Sequence, residues 1–208
     1  MWSQCRPAIA VFVILSAVTG LAYPLLVTGI AAVVFPWQAK GSILKNSAGQ
    51  AIGSRLIGQY FSDPRYFWPR PSATAPVPYT SYNGPLGDCG SGSNFGPTNP
   101  ALFAAVKRRV ARLRAADPTE KGPVPVDLVT SSASGLDPDI SPAAALYQMV
   151  RVAKARGLPV AEVKKLVKQF CRGRDFDILG APRVNVLELN LALDRLSSIQ
   201  RAASQGPR

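Results

Sequence analysis

Residues 8–35 carry no charged side chain and consist mainly of Val, Ile, Leu, Ala and Phe. About 20 apolar residues in a helix cross the ~30 Å hydrocarbon core of a bilayer. The apolar part of a cleaved signal peptide usually covers only about 7–15 residues. The sequence therefore predicts one retained transmembrane helix, which with its flank forms a first region at residues 1–36.

Small residues recur inside this helix. Ser16 and Gly20 are four residues apart, and small residues at that spacing let the backbone of another helix approach closely within lipid. They are our candidates for packing against a partner helix. The alternative is a plain membrane anchor that carries small residues by chance.

The charges that flank the helix give little information on orientation. Arg6 and the terminal amine stand on one side, and Lys40 and Lys45 stand on the other. The loop-charge rule is almost balanced and leans slightly toward a cytoplasmic soluble part.

The absence of some residue types excludes several kinds of chemistry. The chain has no histidine, which removes the commonest general base at neutral pH and every Ser–His or Cys–His dyad. Its three cysteines have no zinc-ligand spacing, so we predict no metal site. Cys89 and Cys171 could pair if the domain lies outside the cytoplasm, and two free thiols are the alternative.

The formal net charge of +12 raises the question of nucleic-acid binding. The basic residues between Lys107 and Arg114 alternate with Val106, Val110 and Leu113 at helical spacing. This pattern is typical of a helix whose charged face contacts solvent, anionic lipid or an acidic partner. Together with the membrane helix, it predicts no nucleic-acid partner.

The rest of the chain predicts an α+β fold: one N-terminal transmembrane helix followed by a single soluble α+β domain with about four helices and a small sheet. Apolar stretches around "NSAGQ" indicate a hairpin. Residues 61–100 are rich in Pro and Gly but also in aromatics, which indicates an ordered loop region. We place the soluble domain at residues 37–199 and a frayed tail at 200–208.

"VPVDLV" predicts a strand, and "DFDILG" predicts a short strand or turn. The four helices are predicted from these signals: Asn99–Pro100, Ser141–Pro142 with a stop at Gly157, an apolar stripe from Pro159, and a capping box from Asn185 to Glu188.

No complete catalytic motif is present, so we predict no catalytic residue. "SILK" (Ser42 to Lys45) and "SYN" (Ser81 to Asn83) match two elements of serine acyl enzymes, but the third element is missing. A membrane-anchored periplasmic serine acyl hydrolase that uses Ser42 is an alternative function. Another is an anionic-ligand binding module, because Gln148 and Arg151 lie three apart on one predicted helix. These two side chains could instead contact a neighbouring loop and Asp137 or Asp139.

Four long motifs occur in a fixed order behind the membrane helix: "GQYFSDPRYFWPRPSA", "GSGSNFGPTNP", "VPVDLVTSSASGLDPDISPAAALYQMVRVAKARG" and "LGAPRVNVLELNLALD". In this order they closely resemble the C chains of the bacterial Kdp potassium-transporting P-type ATPases, from the membrane helix to about Asp194. Two departures stand out: Asp139 replaces the histidine usual in the family, and "NGPLGDC" looks like an insertion.

The resemblance implies a non-catalytic accessory subunit of a high-affinity ATP-driven potassium uptake complex. It implies as partners a potassium-selective channel-like A chain, a P-type ATPase B chain and a small F chain, besides membrane lipids. It implies no tightly bound cofactor, because ATP and K⁺ would be handled by the other chains. The family's C chain has been described as a catalytic chaperone that raises nucleotide affinity, which makes Gln148, with Arg151, a nucleotide-binding candidate.

The resemblance also implies an inner-membrane protein with a cytoplasmic N-terminus and a periplasmic domain. ATP is scarce in the periplasm, so on this topology Gln148 is better explained as a structural or subunit-contact residue. We expect the loop "GSGSNFGPTNP" and the segment "YFWPRPSA" to form a rigid surface that docks on the channel-like chain. Its contact candidates are Tyr66, Phe67, Arg70, Asn94 and Phe95.

Overall fold

The structure is a computed structural model that describes residues 2–46, 48–80 and 90–205. The chain divides into two compact units, residues 1–54 and 55–208. The hairpin that follows the apolar helix belongs to the first unit. The domain boundary that the sequence suggests at residue 37 stays a prediction.

One long apolar helix dominates the first unit. It consists of α1 (Trp2–Ala17), a π-helical turn (Val18–Ala22) and α2 (Tyr23–Val34). From Ser3 to Val34 it is long and apolar enough to cross a membrane, with a mean hydropathy of 2.2 and none of its most apolar stretch buried. The helix predicted from the uncharged stretch is therefore confirmed.

The π-helical turn has a local cause in the sequence. The Tyr23 amide donates to the carbonyl of Val18, five residues earlier, instead of four as in an α-helix. Pro24 follows directly; it has no N–H, and its ring would crowd the carbonyl four residues before it, that of Gly20. A wider turn at this point relieves that crowding.

A short helix and the predicted hairpin complete the first unit. Helix α3 (Pro36–Ala39) leads into strands β1 (Ile43–Lys45) and β2 (Ala51–Ser54), which pair antiparallel. The Asn46 side chain closes the turn by accepting hydrogen bonds from the amides of Ala48 and Gln50 at 3.0 and 2.9 Å. This self-bonding asparagine is typical of tight turns.

The described part of the second unit contains four α-helices, and the predicted caps define three of their starts. The Asn99 side chain accepts from the Ala101 amide, Ser141 from Ala144, and Asn185 from Glu188, at 2.8–3.0 Å. Gly157 ends the second helix with φ +66°, in the left-handed region that glycine adopts without strain. The helices are α4 (Pro100–Ala116), α5 (Pro142–Arg156), α6 (Val160–Phe170) and α7 (Val186–Gln205). Helix α7 thus continues beyond Ile199, where the sequence predicted the tail to begin.

A small antiparallel sheet of order β3-β5-β4 lies beside these helices, with β3 at Asp139–Ile140, β4 at Cys171–Arg172 and β5 at Arg183–Asn185. The core contains small residues of α5, valines of α6 and leucines of α7. Phe67 and Trp68 join the core from the loop region before α4, so that loop is part of the packed domain. The predicted α+β domain with four helices and a small sheet is confirmed.

The strand predicted at "VPVDLV" is wrong. Residues Val126–Leu128 form a single turn of 3₁₀-helix. Prolines at 123 and 125 remove two backbone donors, and the Asp127 carboxylate accepts from the amide and hydroxyl of Ser141 at 2.7 and 3.2 Å. The "DFDILG" segment forms a turn closed by a bridge between Asp175 and Leu179.

Candidate functional site

The Gln148 side chain binds the backbone of its own domain. Its Oε1 accepts from the Trp68 amide at 2.8 Å, and its Nε2 donates to the Trp68 carbonyl at 3.1 Å and the Ala144 carbonyl at 3.3 Å. The residue is only 1% exposed. Both ends of the amide are therefore used to hold residues 63–72, which we call the anchored segment.

Arg151 holds the same segment one helical turn further along α5. Its guanidinium donates to the carbonyls of Pro64 at 2.6 Å and Tyr66 at 3.2 Å, and to Gln148 Oε1 at 2.7 Å. It also lies 4.3 Å from the ring centre of Trp68. Burial lowers the pKa of Arg151 to about 10. The expected pairing with Asp137 or Asp139 is replaced by these carbonyl contacts, whereas the expected contact between Gln148 and a neighbouring loop is present.

Asn190 on α7 holds the next residue of the anchored segment. Its Oδ1 accepts from the Phe67 amide at 2.9 Å, and its Nδ2 donates to the Phe67 carbonyl at 3.1 Å. The Phe67 ring is fully buried in the core. Phe67 therefore has no surface to offer a partner in this conformation, which corrects its expected role as a contact residue.

Tyr66 lies at the edge of the anchored segment and is partly exposed. Its hydroxyl donates to Asp194 at 3.2 Å, and the Arg156 guanidinium lies 4.7 Å from its ring centre. Arg156 in turn donates to the Arg65 carbonyl at 2.6 Å and pairs with Asp194 at 2.9 Å. Arg156 and Asn190 were not among our site candidates, because nothing in the sequence connects them with a loop so distant along the chain.

Arg70 at the other end pairs with Asp137 at 2.9 Å. Next to this pair, Asp139 accepts from Asn185 at 3.2 Å and lies 3.6 Å from Arg183. Burial raises the pKa of Asp139, and the neighbouring Asp137 charge raises it further. The Asp139 carboxylate is thus held inside a network of structural ion pairs.

The loop from Gly90 to Thr98, here called the glycine loop, differs from the anchored segment. Asn94 and Phe95 are both exposed, Phe95 by 42%, so these two contact candidates do face solvent. The backbone of the glycine loop runs close to residues 132–135. A Cβ atom at Gly92 would lie 2.9 Å from the Ala133 carbonyl oxygen, and one at Gly135 would lie 2.6 Å from that of Ser91.

Three arginines on the basic face of α4 contact neighbouring parts of the domain. Arg109 donates to the Val129 carbonyl at 2.8 Å, and Arg114 donates to the Glu120 and Gly122 carbonyls at 3.4 and 3.3 Å. Arg112 lies 4.6 Å from the Trp68 ring centre. Several positive charges in this run therefore stabilise the fold.

The structure gives little support for serine acyl transfer. Ser42 is only 2% exposed, so its hydroxyl is closed to a substrate. The "SYN" element, Cys89 and the "NGPLGDC" stretch lie outside the described residues. No cluster of three metal-ligating side chains occurs among residues 2–46, 48–80 and 90–205.

Comparison with known proteins decides the family. A family model described as "KdpC: K+-transporting ATPase, c chain" matches residues 5–195. This chain belongs to the KdpC family. The potassium-transporting ATPase KdpC subunit of Dechloromonas aromatica is 58% identical over 197 residues, covering 95% of this chain and 100% of that protein. The KdpC subunits of Herpetosiphon aurantiacus and Variovorax paradoxus are 57% and 59% identical, covering 93% and 91% of this chain and 97% and 94% of those proteins.

The KdpC match extends over the membrane helix, the anchored segment and the glycine loop. It confirms the resemblance that the four motifs indicated. The site roles stay predictions: nucleotide binding by Gln148 and Arg151, partner contact by Tyr66, Arg70, Asn94 and Phe95, and helix packing by Ser16 and Gly20. A Cβ atom added to Gly20 would have no neighbouring heavy atom of the described chain within 4 Å, so the helix surface is open at this position.

Proposed function

We propose that this chain is a non-catalytic accessory subunit of an ATP-driven potassium uptake complex. Its apolar helix anchors it in the inner membrane with the N-terminus in the cytoplasm, and its soluble domain lies in the periplasm. Potassium selection and ATP hydrolysis belong to the channel-like A chain and the P-type B chain, which together with a small F chain are its partners. Membership of the KdpC family supports the complex.

One observation supports a docking role for the soluble domain. The side chains of Gln148 and Arg151 are used to hold the anchored segment, whereas Asn94 and Phe95 on the neighbouring glycine loop face solvent. We propose that the glycine loop contacts the channel-like chain. Any effect on the nucleotide affinity of the B chain is then transmitted through subunit contacts and does not require ATP to touch Gln148.

The docking proposal is tested by replacing both exposed residues, Asn94→Gly with Phe95→Ala. Glycine suits position 94, where φ is +52°. We expect less co-purification of the partner chains from native membranes and slower growth at low potassium. The matched control is Phe176→Ala, which removes a phenylalanine that is 87% exposed in a different loop. Normal assembly and growth of the double variant would contradict the proposal.

The orientation is tested with a membrane-impermeant thiol reagent on intact cells. A single cysteine is placed at the highly exposed position 176 in a variant without the native cysteines. Labelling of intact cells is the expected result. Labelling only after the membrane is permeabilised would place the domain in the cytoplasm and contradict the proposed topology.

A further inference from the structure

A cleft of about 170 Å³ lies between the anchored segment and helix α4. Its walls are mainly proline and aromatic side chains, and Leu113 and Leu128, which are buried, also line it. Three arginines contribute to the lining, and no acidic residue does. The lining residues are Tyr60, Phe61, Trp68, Pro69, Arg70, Pro71, Ser72, Pro78, Arg109, Arg112, Leu113 and Leu128.

Among the described residues, only one of these three arginines is paired with an acidic side chain. Arg70 has a carboxylate partner in Asp137 at 2.9 Å. Arg109 donates only to neutral acceptors, the Val129 carbonyl at 2.8 Å and the Ser131 hydroxyl at 3.3 Å. Within the described part of the chain, neither Arg109 nor Arg112 has an acidic partner within 4.0 Å. The cleft therefore has an excess of positive charge.

Most of the open donor capacity belongs to Arg112. Its only hydrogen bond to the described residues is from Nη1 to the Tyr60 hydroxyl at 3.2 Å, so Nε and Nη2 are open. Its guanidinium lies 4.6 Å from the Trp68 ring centre and 5.9 Å from that of Tyr60, which fixes its position. Arg70 Nε, buried and without a hydrogen-bond partner among the described residues, belongs to the same lining.

We propose that this cleft binds a carboxylate carried on a flat apolar body. One open guanidinium edge matches the two oxygens of one carboxylate, which it can bind through two parallel hydrogen bonds. The proline and aromatic walls bury the apolar part of the ligand. The ligand is either a segment of another subunit in which an acidic side chain lies beside an aromatic one, or a free small aromatic acid.

The probe is phenylacetate, added to the full-length chain in detergent micelles. Trp2→Phe and Trp37→Phe leave Trp68, which lines the cleft, as the single tryptophan. We expect a saturable change in Trp68 fluorescence with phenylacetate. The neutral isostere phenylacetamide should bind at least about tenfold more weakly, because it loses the charge-assisted contact.

Substitutions at Arg112 test whether its guanidinium binds phenylacetate. Arg112→Gln should weaken phenylacetate binding about tenfold or more, and Arg112→Lys should weaken it less because the charge is kept. Lys107→Gln is the matched control, since it removes an exposed charge from the same helix outside the cleft. Near-ultraviolet circular dichroism checks that each variant is folded, and Arg109→Gln serves in place of Arg112→Gln if the latter is not.

Two outcomes overturn the proposal: no saturable response to phenylacetate, or equal binding of phenylacetate and phenylacetamide. The same titration of the complex purified through a tag on this chain distinguishes the two sources of the carboxylate. Loss of phenylacetate binding in the complex identifies a partner side chain in the cleft. Retained binding identifies a free acid. Neither result depends on whether the glycine loop contacts the channel-like chain.

Discussion

The anchored segment and the glycine loop lie in the same irregular region of the sequence, yet the domain uses them in opposite ways. The anchored segment is rich in aromatic and charged residues, and its backbone is held by side chains from α5 and α7. The glycine loop is rich in small residues, and its backbone lies directly against other backbone while Asn94 and Phe95 face outward. Large side chains in a loop therefore do not by themselves indicate a binding surface.

The largest effect is expected from Gln148→Ala. This change leaves the amide and carbonyl of Trp68 buried without their side-chain partner, which costs about 2–5 kcal/mol in the free energy of unfolding. Chemical denaturation of the full-length chain with Trp2→Phe and Trp37→Phe, followed by the fluorescence of the remaining Trp68, measures the loss. Lys154→Ala, at an exposed position of the same helix, is the control and should have little effect. A Gln148→Ala variant as stable as the parent would show that the segment is not held by this side chain.

A smaller effect on stability is expected from Gly135→Ala, because the backbone at Gly135 lies directly against the glycine loop. The added Cβ would lie 2.6 Å from the Ser91 carbonyl oxygen, at a residue whose φ is +69°. Crowding and backbone strain should lower the free energy of unfolding by about 1–3 kcal/mol. Thermal unfolding by circular dichroism measures the change. An unchanged midpoint would mean that the close backbone approach is not required for stability.

Asp63 in the anchored segment should make the free energy of unfolding depend weakly on pH, and only in the acidic range. Hydrogen bonds from Arg65 lower the pKa of Asp63 from its usual 3.8 to about 2. A carboxyl with a lowered folded-state pKa stabilises the fold above about pH 4, and this contribution is lost as the pH falls toward 2. Because the side chain is 39% exposed, solvent screening limits the contribution to less than about 1 kcal/mol.

Asp63→Asn separates the contribution of Asp63 to the free energy of unfolding from that of Asp139. Because the pKa of Asp139 is raised, its contribution changes with pH in the opposite direction. The parent should be slightly more stable than Asp63→Asn at pH 6, and the difference should be clearly smaller at pH 2.5, where the carboxyl begins to be protonated in the folded state. Urea denaturation at both pH values measures it. A difference that stays constant with pH would exclude the Asp63 carboxylate as its source.

The smallest effect on stability is expected from Phe95→Ala. The side chain is 42% exposed and lies outside the core, so the free energy of unfolding should change by no more than about 0.5 kcal/mol. Urea denaturation measures this. A loss above about 1 kcal/mol would mean that the glycine loop is also a folding element, and the comparison between the two regions would then fail.

The sequence predicted those features that depend on neighbouring residues. Helix caps at Asn99, Ser141 and Asn185 and the stop at Gly157 follow from local hydrogen bonding and local backbone freedom, and all four are observed. The strand expected at 124–129 failed because a contact distant in sequence, from Asp127 to Ser141, holds that stretch in a turn.

The candidate site was harder to predict for the same reason. Gln148 and Arg151 were recognised as a pair on one helix face, but their partners are backbone atoms about 80 residues away. Backbone groups carry no sequence signal. A side chain that binds them cannot be distinguished in sequence from one that binds a ligand. Phe67 looked like an exposed aromatic because the core that buries its ring and the Asn190 side chain that holds its backbone are distant in sequence.

The π-helical turn at Val18–Ala22 sets the rotational phase of the apolar helix. With 3.6 residues per α-helical turn, each residue advances the helix by about 100°. If this wide turn closed into a regular α-helix with all its residues kept, all residues before it, Ser16 included, would rotate by about that angle relative to α2. A neighbouring helix that packs along both halves would lose its fit on one of them, although no side chain in either half had been replaced.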